Sequence, residues 1–258
     1  MADRADVFPF SLPTTSLMNT LAIALGCVPV AAAGAAAWGA VYPGSQMFGP
    51  TLRRTKTPNS IALTFDDGPN PNITPQILDL LERHSARATF FVIGRFAREC
   101  PGLVREIDSR RHCIGNHTDT HPSLAWRAPQ RISTELARCQ EAVAAATHSP
   151  PPVWMRPPFG FRGPQLRGAV RGAGLAGVAM WSLTCYDWKP QAPAHLIVRL
   201  GRLRGGDIAL LHDGDHRALG GDRAHVVTAL EYWLPRWRDQ GFEFVTIDEV
   251  GDPIAGAR

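Results

Sequence analysis

Two imidazoles four residues apart, in His117-Thr118-Asp119-Thr120-His121, and two adjacent carboxylates, Asp66-Asp67, are the side chains of this sequence best equipped for chemistry. Adjacent carboxylates repel, and burying both uncompensated is costly, so such a pair calls for a cation or for protons. Successive side chains of a strand diverge, so the two acids are expected to serve different partners, one a metal and the other a substrate or water. The i, i+4 spacing puts both histidines on one face of a helical turn, a common arrangement for a divalent metal. A zinc protease would need Glu directly after the first His; Thr118 stands there, which excludes that chemistry. Two His and one carboxylate also satisfy the ligand set of a non-haem iron oxygenase. A spare Asp, with His212 closing the run Ile-Ala-Leu-Leu, supplies the base and the proton donor of a hydrolase and favours hydrolysis. Arg156-Pro157-Pro158-Phe159-Gly160 adds a proline-stiffened turn whose guanidinium fork can clamp the carboxylate base. In Tyr186-Asp187-Trp188 an acid and a large aromatic can orient His212 and wall off water.

These groups need a scaffold that brings them together. From Pro58 onward, short apolar runs alternate with amphipathic stretches. Strands are expected at Ile61–Phe65, Ala88–Ile93, His112–Gly115, Val153–Arg156, Val178–Ser182, Ile208–Leu211 and Phe244–Thr246. Helices are expected at Thr74–His84, with Thr74 able to cap and Pro75 at the first helical position, and at Pro101–Arg110 and Gln130–Thr147. Further helices read at Pro164–Ala173, Pro193–Leu203 and Arg223–Gln240. Such alternation argues for a parallel sheet, open or closed as a barrel, with ligands at the carboxyl ends of its strands. Asp66-Asp67, Asn116-His117, Arg156, Asp187 and His212 fall at those ends.

The composition sets the remaining bounds. A chain of 258 residues, 45% hydrophobic and 19% charged, has apolar mass for one sizeable core. Its basic residues are arginines apart from Lys56 and Lys189, scattered among acids to a net charge of +4, which argues against a nucleic-acid partner. Five cysteines, mostly in apolar contexts, read as core residues or reduced thiols rather than a disulfide set. His84, His112, His148, His195, His216 and His225 sit in no motif and read as structural or surface residues.

Residues 1–57 are expected to form a separate N-terminal segment, followed by one domain over 58–252 that carries the candidate site. Between Asp6 and Arg53 there is no ionisable Asp, Glu, Lys, Arg or His, and Leu21–Val41 has about the length of a bilayer span. A membrane anchor, a cleaved export signal and a docked N-terminal arm all fit, so the chain is expected to be membrane-anchored or exported. Arg53, Arg54 and Lys56 after the apolar stretch would place the domain on the cytoplasmic side, against a role on external polymer.

Thr64-Phe65-Asp66-Asp67-Gly68, His117-Thr118-Asp119-Thr120-His121, Arg156-Pro157-Pro158-Phe159-Gly160, Asp187-Trp188 and the strand ending in His212 occur in the order of the polysaccharide deacetylase family, carbohydrate esterase family four. The resemblance covers about residues 58–250 and implies an α/β fold, a distorted (β/α)7-type barrel, that removes N-acetyl or O-acetyl groups from chitin, peptidoglycan or xylan. By matched position it implies a divalent metal, usually zinc, held by Asp67, His117 and His121. Asp66 would be general base and His212 general acid, with Arg156 holding Asp66 and Asp187 tuning His212. Trp188 would line the pocket, and the Phe159 N–H, where the family often has Tyr, would help bind the oxyanion. Two positions depart from the pattern: Thr184 replaces the Asp that usually opens the fourth motif, and Ala209 replaces a Leu three residues before His212. The resemblance therefore points to an acetylated amino-sugar polymer or oligomer as substrate. Deacylation or deformylation of a lipid-linked sugar is an alternative, and a catalytically silent carbohydrate-binding module is another.

Overall fold

The structure, a computed structural model, describes residues 30–147 and 149–250. Residues 21–29 of the apolar stretch, together with Cys27 and His148, lie outside them. Residues 30–41 are helical, and among the described residues no helix is long and apolar enough to cross a membrane. The compact unit that carries the sheet begins at Gly39, and its first strand, β1 (Thr51–Leu52), precedes Pro58.

Eight further strands follow: β2 (Ser60–Gly68), β3 (Thr89–Val92), β4 (Cys113–Asn116), β5 (Trp154–Met155), β6 (Gly177–Ala179), β7 (Leu183–Thr184), β8 (Ile208–His212) and β9 (Glu243–Phe244). All ladders between them are parallel, in the order β1-β6-β5-β4-β3-β2-β8-β7, with β9 pairing separately to β2. The helices are α1 (Thr74–Arg83), α2 (Gly94–Glu99), α3 (Pro101–Ser109), α4 (Pro129–Thr147), α5 (Leu166–Gly172), α6 (Pro193–Leu200), α7 (Ala224–Asp239) and α8 (Ile247–Val250). The result is the distorted (β/α)7-type barrel, curled and incomplete, with short strands added to it. The expected strands and long helices are present; β1, β7, α2 and α8 are too short to leave a periodic signal.

Side-chain alternation decides what faces where. Ile61, Leu63 and Phe65 of β2, Phe90 and Val92 of β3, and Ala209 and Leu211 of β8 pack outward in one core with Ile77 and Leu81 of α1 and Leu230 and Leu234 of α7. The alternate positions Ala62, Phe91, Trp154, Ala179 and Ile208 form the inner layer, joined by Ile247 of α8. Following this inner series to the carboxyl ends gives Thr64 and Asp66 on β2, and Leu210 and His212 on β8. The inner series thus changes from apolar to ionisable where the strands end. Thr74 opens α1 but does not cap it; its hydroxyl accepts from Asn70 N at 2.9 Å and donates to Asp213. Pro235 lies inside α7 without ending it.

Candidate active site

Regular pleating would turn Asp67 away from Asp66, toward the helices. The structure does otherwise, because the β2–β3 register shifts between Asp66 and Gly68 and Asp67 adopts a left-handed backbone with φ 71°. Both acids then converge on one imidazole, with Asp66 Oδ2 at 3.8 Å and Asp67 Oδ1 at 3.4 Å from His117 Nε2. Gly68 and Gly214 make this packing possible, since a Cβ on the first would collide with the Asp213 carboxylate and one on the second with the Asp67 carbonyl.

The two histidines are not on a helical turn. Residues 117–121 form a loop in which Thr118 (φ 68°) and His121 (φ 59°) are left-handed. Side chains replace the helical hydrogen bonds: Asn116 Oδ1 accepts from Thr118 N at 2.9 Å, and Thr118 Oγ1 from His121 N at 3.1 Å. Glu135 of α4 accepts from Asp119 N at 3.0 Å, from Thr120 N at 2.8 Å and from the Thr120 hydroxyl at 2.9 Å. A β-branched residue such as Thr118 rarely adopts left-handed backbone, so these hydrogen bonds are what hold the loop in this form.

Asp67 Oδ1 lies 3.1 Å from His121 Nε2, and one ligand atom each of Asp67, His117 and His121 fall within 4.8 Å of one another. His117 Nδ1 sits 2.8 Å from the Arg156 carbonyl and must donate to it, which leaves the Nε2 lone pair free. Burial chiefly lowers His121 to about 4, so its imidazole is neutral at physiological pH. Burial pushes Asp67 up, but His117, His121 and His216 around it pull it further down, well below the usual carboxylate value. Asp67 Oδ1 is buried without a hydrogen-bond partner. An ionised oxygen facing two nitrogen lone pairs is a donor set that fits a divalent cation.

Asp66 Oδ1 accepts from Arg156 at 2.7 Å. The guanidinium of Arg156 is fully buried; it also donates to Thr64 Oγ1 at 2.7 Å, Ala179 O at 3.1 Å and Met180 O at 3.0 Å, and it lies 4.2 Å over the Phe91 ring. Asp187 accepts from His212 N through Oδ2 at 2.6 Å and holds His212 Nδ1 through Oδ1 at 3.0 Å. Burial disfavours charge on His212, but Asp187, joined by the Asp67 and Asp66 carboxylates, outweighs it and raises the imidazole to about 9. Both pairs form with Thr184 in the fourth motif, whose hydroxyl is buried without a partner.

Phe159 lies in a short 3-10 turn, Pro158–Gly160, with φ 58°. Gly160 and Phe161 donate inside the turn to Pro157 O and Pro158 O, whereas Phe159 N–H has no main-chain acceptor among the described residues. The Phe159 ring meets His121 edge-on at 4.6 Å, and Trp188 meets His212 at 5.5 Å. All the residues expected in the site except Arg156 and Asp187 line one cleft of about 390 Å³, and those two stand directly behind it. Sequence reading missed His216, Asp215 and Arg223, which also line the cleft, and His225, whose Nε2 lies 2.8 Å from Asp187 O. It also missed Asp213, which is buried beneath the acids and raised to about 7 by that burial. Their clustering within 212–225, directly after a strand ending in a site residue, is the signal that could have found them. The described cysteines, 100, 113, 139 and 185, are free thiols.

The polysaccharide deacetylase family model matches residues 53–178. A chitooligosaccharide deacetylase of Azorhizobium caulinodans is 37% identical over 203 residues, which make up 76% of this chain and 96% of that protein. The crystal structure of the Bc1960 peptidoglycan N-acetylglucosamine deacetylase superposes with a TM-score of 0.71 at 31% identity, covering 78% of this chain and 92% of that one. A family pseudoenzyme of Bacillus anthracis superposes with a TM-score of 0.69 at 26% identity, covering 78% of this chain and 68% of that one. Architecture is therefore shared by working and silent relatives, while the matched length and identity leave no doubt of kinship. The chain belongs to the polysaccharide deacetylase family.

Proposed function

We propose that this protein is a metal-dependent hydrolase that removes N-acetyl groups from an N-acetylglucosamine-containing oligomer or polymer. The observation that carries the reading is the meeting, in one cleft, of a cation-ready triad with an arginine-held acid and an aspartate-held imidazole. Asp67, His117 and His121 would hold a divalent cation, with zinc the first choice for this nitrogen-rich set, and the cation would supply Lewis acidity to the cleft. Asp66 keeps one oxygen on Arg156 and turns the other into the cleft, where it takes a proton from the attacking water. Phe159 N–H, unspent within its turn, donates to the acyl oxygen as negative charge builds on it. His212 has Nδ1 committed to Asp187, so its proton passes from Nε2 to the amine nitrogen as the C–N bond breaks. Trp188 and Trp181 wall the cleft and exclude water.

The test uses the whole chain. Purified protein should retain stoichiometric divalent metal and release acetate from N-acetylglucosamine oligomers or from peptidoglycan. Asp66→Asn should keep the metal and lose about 10²–10⁴-fold in turnover. Metal binding without release of acetate from either substrate would leave a silent carbohydrate binder, and formate in place of acetate would reassign the acyl group.

A further inference from the structure

His216 carries no motif, yet it is the fourth imidazole of the metal centre's surroundings. Its ring stacks on His121 at 4.3 Å with 22° between planes and meets Phe159 edge-on at 5.3 Å. Its Nδ1 lies 3.5 Å from Asp67 Oδ2, the oxygen that does not face the two histidines. Asp215 Oδ1 is further from the same nitrogen, at 4.0 Å, and is already engaged by Arg217 N at 3.0 Å and Arg217 Nε at 3.2 Å. Asp67 is thus the nearer and freer acceptor. The main chain of His216 is anchored in turn, its carbonyl accepting from the Arg95 guanidinium.

Metal-binding histidines are ordinarily oriented through their second ring nitrogen, and ligating carboxylates through hydrogen bonds to the oxygen left over. His117 meets that rule through Arg156 O, but His121 Nδ1 is buried with no hydrogen-bond partner, so ring packing must orient it. His216 on one face and Phe159 at the edge supply that packing. Given the Asp67–His117–His121 reading on which this rests, we propose that His216 is a positioning residue of the metal centre. Its Nδ1–H holds the second oxygen of Asp67 so that the carboxylate ligates through Oδ1 alone, and its ring fixes the plane of His121. Ligation through one oxygen would leave the cleft side of a bound cation open to the acyl oxygen.

Three substitutions separate the contributions. His216→Asn keeps a donor at the Nδ1 position and removes the ring, His216→Phe keeps the ring and removes the donor, and His216→Ala removes both. Zinc affinity is measured on the whole chain by competition with a chromophoric chelator, alongside the melting temperature of the metal-free proteins. His216→Ala should bind zinc about 10–100-fold more weakly. His216→Asn and His216→Phe should each recover part of that loss. The side chain is 30% exposed, so the metal-free melting temperatures should stay together. Zinc affinity of His216→Ala equal to that of the unaltered protein would overturn the assignment. Failure of the unaltered protein to bind zinc, or equal binding by Asp67→Asn, would instead overturn the triad.

Discussion

Replacing Asp187 by Asn tests the acid half of the cleft with little change of shape. Asp187 is fully buried and spends both oxygens on His212, one on its main-chain N–H at 2.6 Å and one on Nδ1 at 3.0 Å. The imidazole is buried as well, which by itself disfavours charge, yet it rises from 6.5 to about 9. A rise of that size corresponds to roughly 3 kcal/mol of preference for the imidazolium, at about 1.4 kcal/mol per pH unit. Asparagine keeps an acceptor and removes the charge that does most to oppose burial, leaving only the weaker pull of Asp67 and Asp66, so the imidazole should fall toward 6.5. At pH 8 the protonated fraction then drops from about 90% toward about 3%, the fraction at a value of 6.5. Because the folded-state value is raised, the stability His212 contributes is whole below 6.5 and is lost as pH rises through about 9; the variant should lack that loss. Two assays read the change: NMR titration of His212 in the metal-free proteins, and the alkaline limb of kcat/KM for acetate release. A bound cation repels imidazolium in both proteins, so the difference between the two limbs is diagnostic, and it should be about two pH units. Coincident limbs, with His212 titrating alike in both proteins, would refute the reasoning.

Other substitutions reach the rest of the site. Asp213 is raised to about 7 by burial, so the stability it contributes is complete below about 4 and lost as pH rises through 7; Asp213→Asn should remove that slope from denaturant-melting curves taken between pH 4 and 8. Arg156→Met strands the buried Asp66 carboxylate and should cost about 3–5 kcal/mol by urea unfolding. Arg156→Lys should rescue little of it, because a lysine cannot reach four acceptors in one plane. Glu135→Ala removes the acceptor of two main-chain N–H groups between the histidines and should weaken zinc binding by about tenfold or more, measured by chelator competition.

The strands β2 and β8 were legible as short apolar runs that end in ionisable residues, Ile61–Phe65 before Asp66-Asp67 and Ile208–Leu211 before His212. The acid pair and the two histidines were legible as a candidate metal set, but which acid joins the histidines came only from the family resemblance. The backbone at the site was not legible. Spacing suggested a helical turn for His117–His121 and diverging side chains for Asp66 and Asp67, but Thr118, His121 and Asp67 are left-handed, which periodicity cannot register. His216 escaped notice because its partners, Asp67 and His121, are 149 and 95 residues away in sequence. Glu135 did too, since on the sequence it is one more polar residue of α4.

The kink that turns Asp67 toward its neighbour has a consequence for anyone wishing to move this chemistry elsewhere. Copied onto a flat ribbon, Asp-Asp-Gly would send its two acids to opposite sides and build nothing. The kink exists because Gly68 and Gly214 nestle against the Asp213 carboxylate and the Asp67 carbonyl. The smallest transplantable cassette is therefore a pair of neighbouring strand tips with both their glycines, and protein engineers should graft it as one piece.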